Sequence, residues 1–200
     1  MENKWFEIKE MAGKSSFRQS KFRSSDFSVT CEEIKTQWPK WTLQERVEFL
    51  TAYSVKKGLS NEDLRIMDFL MEESDEYTPS VMAGSLTRHP NRTKVIQFLS
   101  DSLKLSGKKA NQLFALGTMG SATAADEIQS LVQRLVIKVP RDAWDNLDYV
   151  YACWALSKLD RKPPQSVEEL ASSPDETLAE PAKVLLTGNT LPWWLRYADC

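Results

Sequence analysis

The chain has 200 residues, 42% hydrophobic and 27% charged, enough for one core that removes roughly 70% of the unfolded chain's surface from water. Its net charge of −2 excludes a whole-molecule electrostatic pull toward nucleic acid or membrane. Three widely spaced cysteines, Cys31, Cys153 and Cys200, with no C-x-x-C pair, fit neither a disulfide framework nor a zinc site.

Residues 1–29 read as an irregular lead-in. MENKWFEIKE lacks the apolar stretch of a secretory signal, and no window approaches a membrane-spanning apolar run, so a cytoplasmic location and no membrane partner are expected. Lys4–Lys9 and Phe27–Thr30 suit short extended pieces at most. SSFRQSKFRSSDF (15–27) interleaves Phe17, Phe22 and Phe27 with basic residues, a pattern that grips nucleic acid or anionic lipid but also suits a loosely packed segment.

From residue 30 the chain carries dense helix punctuation and reads as a single α-helical domain, 30–200. Thr30 with Glu33, Thr42 with Glu45 and Ser60 with Asp63 have capping-box spacing. Thr78 before Pro79 fits an N-cap followed by proline at N1, and Asn91 fits a further cap. Gly58 and Gly107 fall where helices stop. Helices are predicted over 31–37, 43–57, 61–73, 79–87, 92–105, 108–119, 123–138, 141–159, 167–172 and 175–187. Spacings of three and four place Leu43, Val47, Leu50 and Ser54 on one face, widened by Phe49 and Tyr53. Val95, Leu99 and Leu103 make a second stripe, and Ile128, Leu131, Val132 and Leu135 a third. Ala143–Leu159 is apolar around much of its circumference, which predicts a central helix. Trp38 and Trp41 suit an end cover. Pro192–Tyr197, with Trp193 and Trp194, suits a C-terminal aromatic cap or an anchor for a partner.

The segment 80–103 aligns without a gap on 112–135, thirty-two residues later: Ala83 meets Ala115, Ile96 meets Ile128, Leu99 meets Leu131 and Leu103 meets Leu135. Two helices per unit at such a period signify a solenoid. The small residues Ala115, Gly117 and Gly120 are expected to let the first helix of the unit approach the second near their turn, with Gly120 ending the helix in the left-handed conformation. Ala115-Leu116-Gly117-Thr118-Met119-Gly120, followed by an amphipathic helix, resembles a HEAT repeat. Ser121 stands where that family usually has Asp in the turn, and the 80–103 unit lacks both glycines. The resemblance implies an α-α superhelix, over about residues 43–160, that binds partners along a concave surface. It implies no catalytic residues.

The lone histidine, His89, suits a polar turn position; as a general base it would need an orienting partner and a nucleophile that the sequence does not name. No nucleophile elbow, Walker loop or dinucleotide fingerprint occurs. Paired carboxylates such as Glu168/Glu169 suit helix ends better than a catalytic dyad. No cofactor, metal or enzymatic activity is expected. Residues 61–100 carry four Lys/Arg against seven Asp/Glu, and Glu62–Glu76 holds seven carboxylates against Arg65 alone. The expected partner is therefore a basic protein, in the manner of a bacterial immunity protein that neutralises a toxin domain. Its candidate contact residues are Asp68, Glu72, Glu73, Asp75, Glu76, Asp101, Trp193 and Trp194. The alternatives are a nucleic-acid groove or glycosylase-like protein, drawing on Arg92, Lys94, Lys104, Arg134 and Lys138, and a structural adaptor in a larger complex.

Overall fold

The computed structural model describes residues 29–54, 59–75 and 78–188. Among them the chain is all-α, with ten helices: α1 (Cys31–Gln37), α2 (Leu43–Ser54), α3 (Asn61–Glu72), α4 (Thr78–Leu86), α5 (Arg92–Ser102), α6 (Ala110–Met119), α7 (Ala125–Ile137), α8 (Ala143–Lys158), α9 (Val167–Ala171) and α10 (Glu176–Leu186). Each falls on a predicted segment. The extended piece predicted at Lys4–Lys9 lies outside the described residues, and Val29 and Thr30 form no strand.

Local chemistry fixes most helix starts. Thr30, Thr42 and Ser60 each accept from the backbone N–H of the acidic residue three positions on, whose carboxylate accepts from the cap's own N–H. Asp142/Asp145 and Ser166/Glu169 do the same for α8 and α9. At α4 the expected cap is displaced: Thr78 already lies in the helix, and its N–H and hydroxyl both donate to Asp75 Oδ1 at 2.9 Å. Helix α6 has no side-chain cap of its own; Asp148 of α8 accepts from Lys109 N–H at 2.9 Å. Gly120 ends α6 at φ 68°, as predicted.

Helices α2, α4, α6, α8 and α10 form one row, each packed on the next. Helices α3, α5, α7 and α9 lie against this row, with α5 touching α4, α6 and α7, and α9 touching α8 and α10. Bonds between residues thirty-one apart recur along the stack: Cys31 N–H to Glu62 Oε1, Asn111 Nδ2 to Ser80 O, Arg134 Nη2 to Leu103 O, and Asn146 Nδ2 to Thr177 Oγ1. Helix α8 is the centre, buried on nearly every side by α6, α7, α9 and α10.

Two packing expectations shift. The buried face of α2 is Phe49, Leu50 and Tyr53, while Leu43 is 48% exposed and Val47 only half-buried. Aromatic contact turns the helix: Trp38, Trp41, Phe49 and Tyr53 form a chain of rings with centroids 5.2–6.3 Å apart. Gly117 faces α8 rather than α7. A Cβ there would lie 2.6 Å from Trp154 Cζ3 and 3.1 Å from Ala155 Cα. The small residue thus serves the contact between first helices of successive units. The stripe Ile128, Leu131, Val132 and Leu135 of α7 is buried, and α7 packs on α8 and α5.

Candidate partner-binding surface

The polar surface of the second row centres on α5. Lys94, Gln97, Asp101 and Lys104 recur at spacings of three and four from its first turn to just past its end, so they share one stripe. At one end of the stripe, Asp68 and Glu72 of α3 converge on Lys94 Nζ at 2.7 and 3.0 Å. The hydrogen bond that Lys94 donates to Asp68 is the largest influence holding its ammonium above the usual range, against the opposing effect of burial. At the other end, Lys104 Nζ meets Asp101 at 3.3 Å and Glu127 of α7 at 3.0 Å. Gln97 donates to Asp101 at 2.7 Å and is the main reason that its carboxyl lies below the usual range. Four carboxylates therefore share two ammonium groups across three helices. Asp68 keeps 42% of its side chain exposed and Glu72 67%, so both remain open to a partner.

The expected contact residues divide. Asp68, Glu72 and exposed Glu73 gather at the C-terminal half of α3, and Asp101 lies along the stripe. Asp75 stands apart, committed to capping α4 and 3.7 Å from Arg46. Glu76, Trp193 and Trp194 lie outside the described residues. Within its own stretch of sequence, α3 has only Arg65 as a counter-charge. Folding brings Lys94 from 22 and 26 residues away, a separation that no local pattern reveals.

His89 does sit in the α4–α5 turn, but buried beneath this surface. Its Nδ1 accepts from Asn91 N–H at 3.1 Å, which leaves the proton on Nε2; that atom is sealed from solvent, with Asp68 Oδ1 3.9 Å away. Of the cations weighed for a nucleic-acid groove, Lys94 and Lys104 are paired as above. Arg92 donates to Met119 O at 2.7 Å, Arg134 to Leu103 O at 3.1 Å, and Lys138 pairs with Asp145 at 2.6 Å. Among the described residues, no cluster of His, Cys, Asp or Glu is arranged to hold a metal ion, and no helix is long and apolar enough to cross a membrane.

The fold and this surface define the class: an all-α stack of alternating helices with a charged face across its second row. No family model, curated protein or solved structure matches the chain.

Proposed function

We propose that the chain is a HEAT-like array that binds a basic protein partner, in the manner of an immunity-type inhibitor that neutralises a toxin domain. The observation that carries this reading is the charge imbalance along α5: Asp68, Glu72, Asp101 and Glu127 against Lys94 and Lys104, with Glu73 adding to the excess. Such a face attracts a basic surface and repels an acidic one, which speeds encounter and rejects wrong partners. The pairing of Lys94 and of Lys104 with two carboxylates each favours this reading over a nucleic-acid groove along α5, where those cations would face phosphates. An adaptor role would use the same surface.

The test is capture from native lysate at low and high salt, followed by binding kinetics on the protein recovered. A basic partner lost at high salt is expected. Asp68→Asn/Glu72→Gln should slow its association by about tenfold, and Lys94→Gln should speed it, because the partner then supplies the missing cation. Nucleic acid in the eluate without a protein partner, or binding indifferent to salt and to both variants, overturns the reading.

A further inference from the structure

The turn between α7 and α8 carries a feature that the acidic surface does not use. Ile137 is 80% exposed and Val139 85%, with half-exposed Val136 and exposed Pro140 beside them. The other exposed large aliphatics among the described residues, Leu43, Leu105 and Leu186, are about half-exposed and isolated in sequence. Single exposed aliphatics are ordinary; three within four residues are not.

The charge around this tip is one-sided. Residues 128–141 contain Arg134, Lys138 and Arg141 and no carboxylate. Lys108 joins them from the α5–α6 loop, its ammonium 3.1 Å from the centre of the half-buried Trp144 ring. Three carboxylates lie nearby, one of them, Asp148, buried and accepting from Lys109 N–H. Asp142 is turned onto the N–H groups of Trp144 and Asp145, and Asp145 pairs with Lys138. Four cations against three carboxylates, one of them buried, leave the patch positive. Arg141 is held over the Tyr149 ring at 4.5 Å, and Arg134 spends one nitrogen on Leu103 O, keeping further N–H donors of its guanidinium.

We propose that this tip seats the protein on an anionic lipid surface, with Ile137 and Val139 entering the interface and Arg134, Lys138, Arg141 and Lys108 facing the headgroup phosphates. Shape selects lipid over protein. Side chains that keep four-fifths of their area project from the body, so a protein partner must supply a fitted pocket, whereas a lipid interface envelops a convex tip without one. The indole of Trp144 suits the headgroup level. The proposal is independent of the acidic surface. Glu127 lies in the first turn of α7 and Ile137 at its end, about 15 Å apart along the helix. Both surfaces can therefore be engaged together.

Vesicle co-sedimentation of the full chain tests this, using phosphatidylcholine alone and one part phosphatidylserine to two parts phosphatidylcholine. Binding to the mixed vesicles that weakens with salt is expected. Ile137→Asp/Val139→Asp should lower the partition coefficient by about tenfold or more while leaving the thermal melt in place, since neither side chain is packed. Ile137→Trp should raise it several-fold, an opposite change that misfolding does not produce. Equal binding to both vesicle types, no binding to either, or partitioning unchanged by the two variants overturns the proposal. The last outcome would assign any vesicle binding to another part of the chain.

Discussion

Replacing Gly117 by alanine tests the closest approach in the fold. In an exposed helix this change would stabilise by about 1 kcal/mol, because alanine restricts the unfolded chain and favours the helix. At Gly117 the new methyl meets Trp154 Cζ3 at 2.6 Å, roughly 1 Å inside ordinary carbon–carbon contact, and Ala155 Cα at 3.1 Å. Trp154 has little room to withdraw, for it stacks on Phe114 at 5.0 Å with the planes 10° apart. Ala155 Cα is backbone and cannot rotate away. Helices α6 and α8 must separate instead, and α8 is held on its other sides by α7, α9 and α10. Overpacking of this kind costs about 1–3 kcal/mol. Less the alanine gain, the net expectation is a loss of up to about 2 kcal/mol, or up to roughly 4–8 °C in Tm for a chain of this size. Gly84 supplies the control. It lies within α4, and a Cβ added there would meet no atom inside 4 Å, so Gly84→Ala should stabilise by about 0.5–1 kcal/mol. Urea unfolding of the two variants and wild type measures both. Gly117→Ala as stabilising as Gly84→Ala would refute the close packing of α6 on α8.

Three further outcomes follow from particular contacts. Burial lifts the Asp148 carboxyl to about 7 from an ordinary 3.8, so the folded chain binds more protons at this site than the unfolded chain between those values. Its contribution to stability therefore falls as pH rises through that window, by a few kcal/mol at most, and Asp148→Asn should remove this slope from the wild-type profile when both are unfolded in urea from pH 4 to pH 7. Asp75→Ala should cost about 1 kcal/mol by uncapping α4, whereas Asp68→Asn/Glu72→Gln should leave the urea midpoint within about 0.5 kcal/mol of wild type; equal losses would contradict the division of these carboxylates into cap and surface. Tyr53→Phe should lose about 1–2 kcal/mol by urea unfolding, because the buried hydroxyl donates to Asp63 O at 2.8 Å and contacts Asp63 Oδ1 at 3.0 Å, and no loss would exclude that bond from the folding balance.

What the sequence made legible was the part of the fold written in short-range chemistry. The capping boxes at Thr30, Thr42 and Ser60, the Asn91 cap and the left-handed Gly120 each involve residues within four positions of one another, and they divide the chain into its helices. The buried stripes of α5 and α7 were equally readable, because one apolar face on a helix leaves little choice of orientation. Ambiguity entered where two faces competed. In α2, Leu43 and Val47 align with Leu50 as well as Phe49 and Tyr53 do, and only Trp38 and Trp41, folded back from the preceding turn, decide which side is buried.

Interactions between distant segments were not legible, and the candidate surface is made of them. Asp68 and Glu72 look in sequence like part of an uncompensated acidic run because their counter-ion, Lys94, belongs to another helix. Asp75 looks like a member of the same run, although its local role as the α4 cap is within reach: an acidic residue three positions before a helix that opens Thr-Pro matches the spacing of a cap. The small residues around position 117 mark a point of close approach, but the neighbour that Gly117 admits lies 37 residues further on, in α8, where local spacing points to α7. The acidic face depends on which cations folding brings to it, so its net charge could be counted only in the structure. The α7–α8 tip depends on a contiguous run, RLVIKVPR, whose basic and apolar character is fully present in the sequence. What the structure adds is that Ile137 and Val139 find no cover within the described chain, and it is this exposure that turns a composition into a surface able to meet something else.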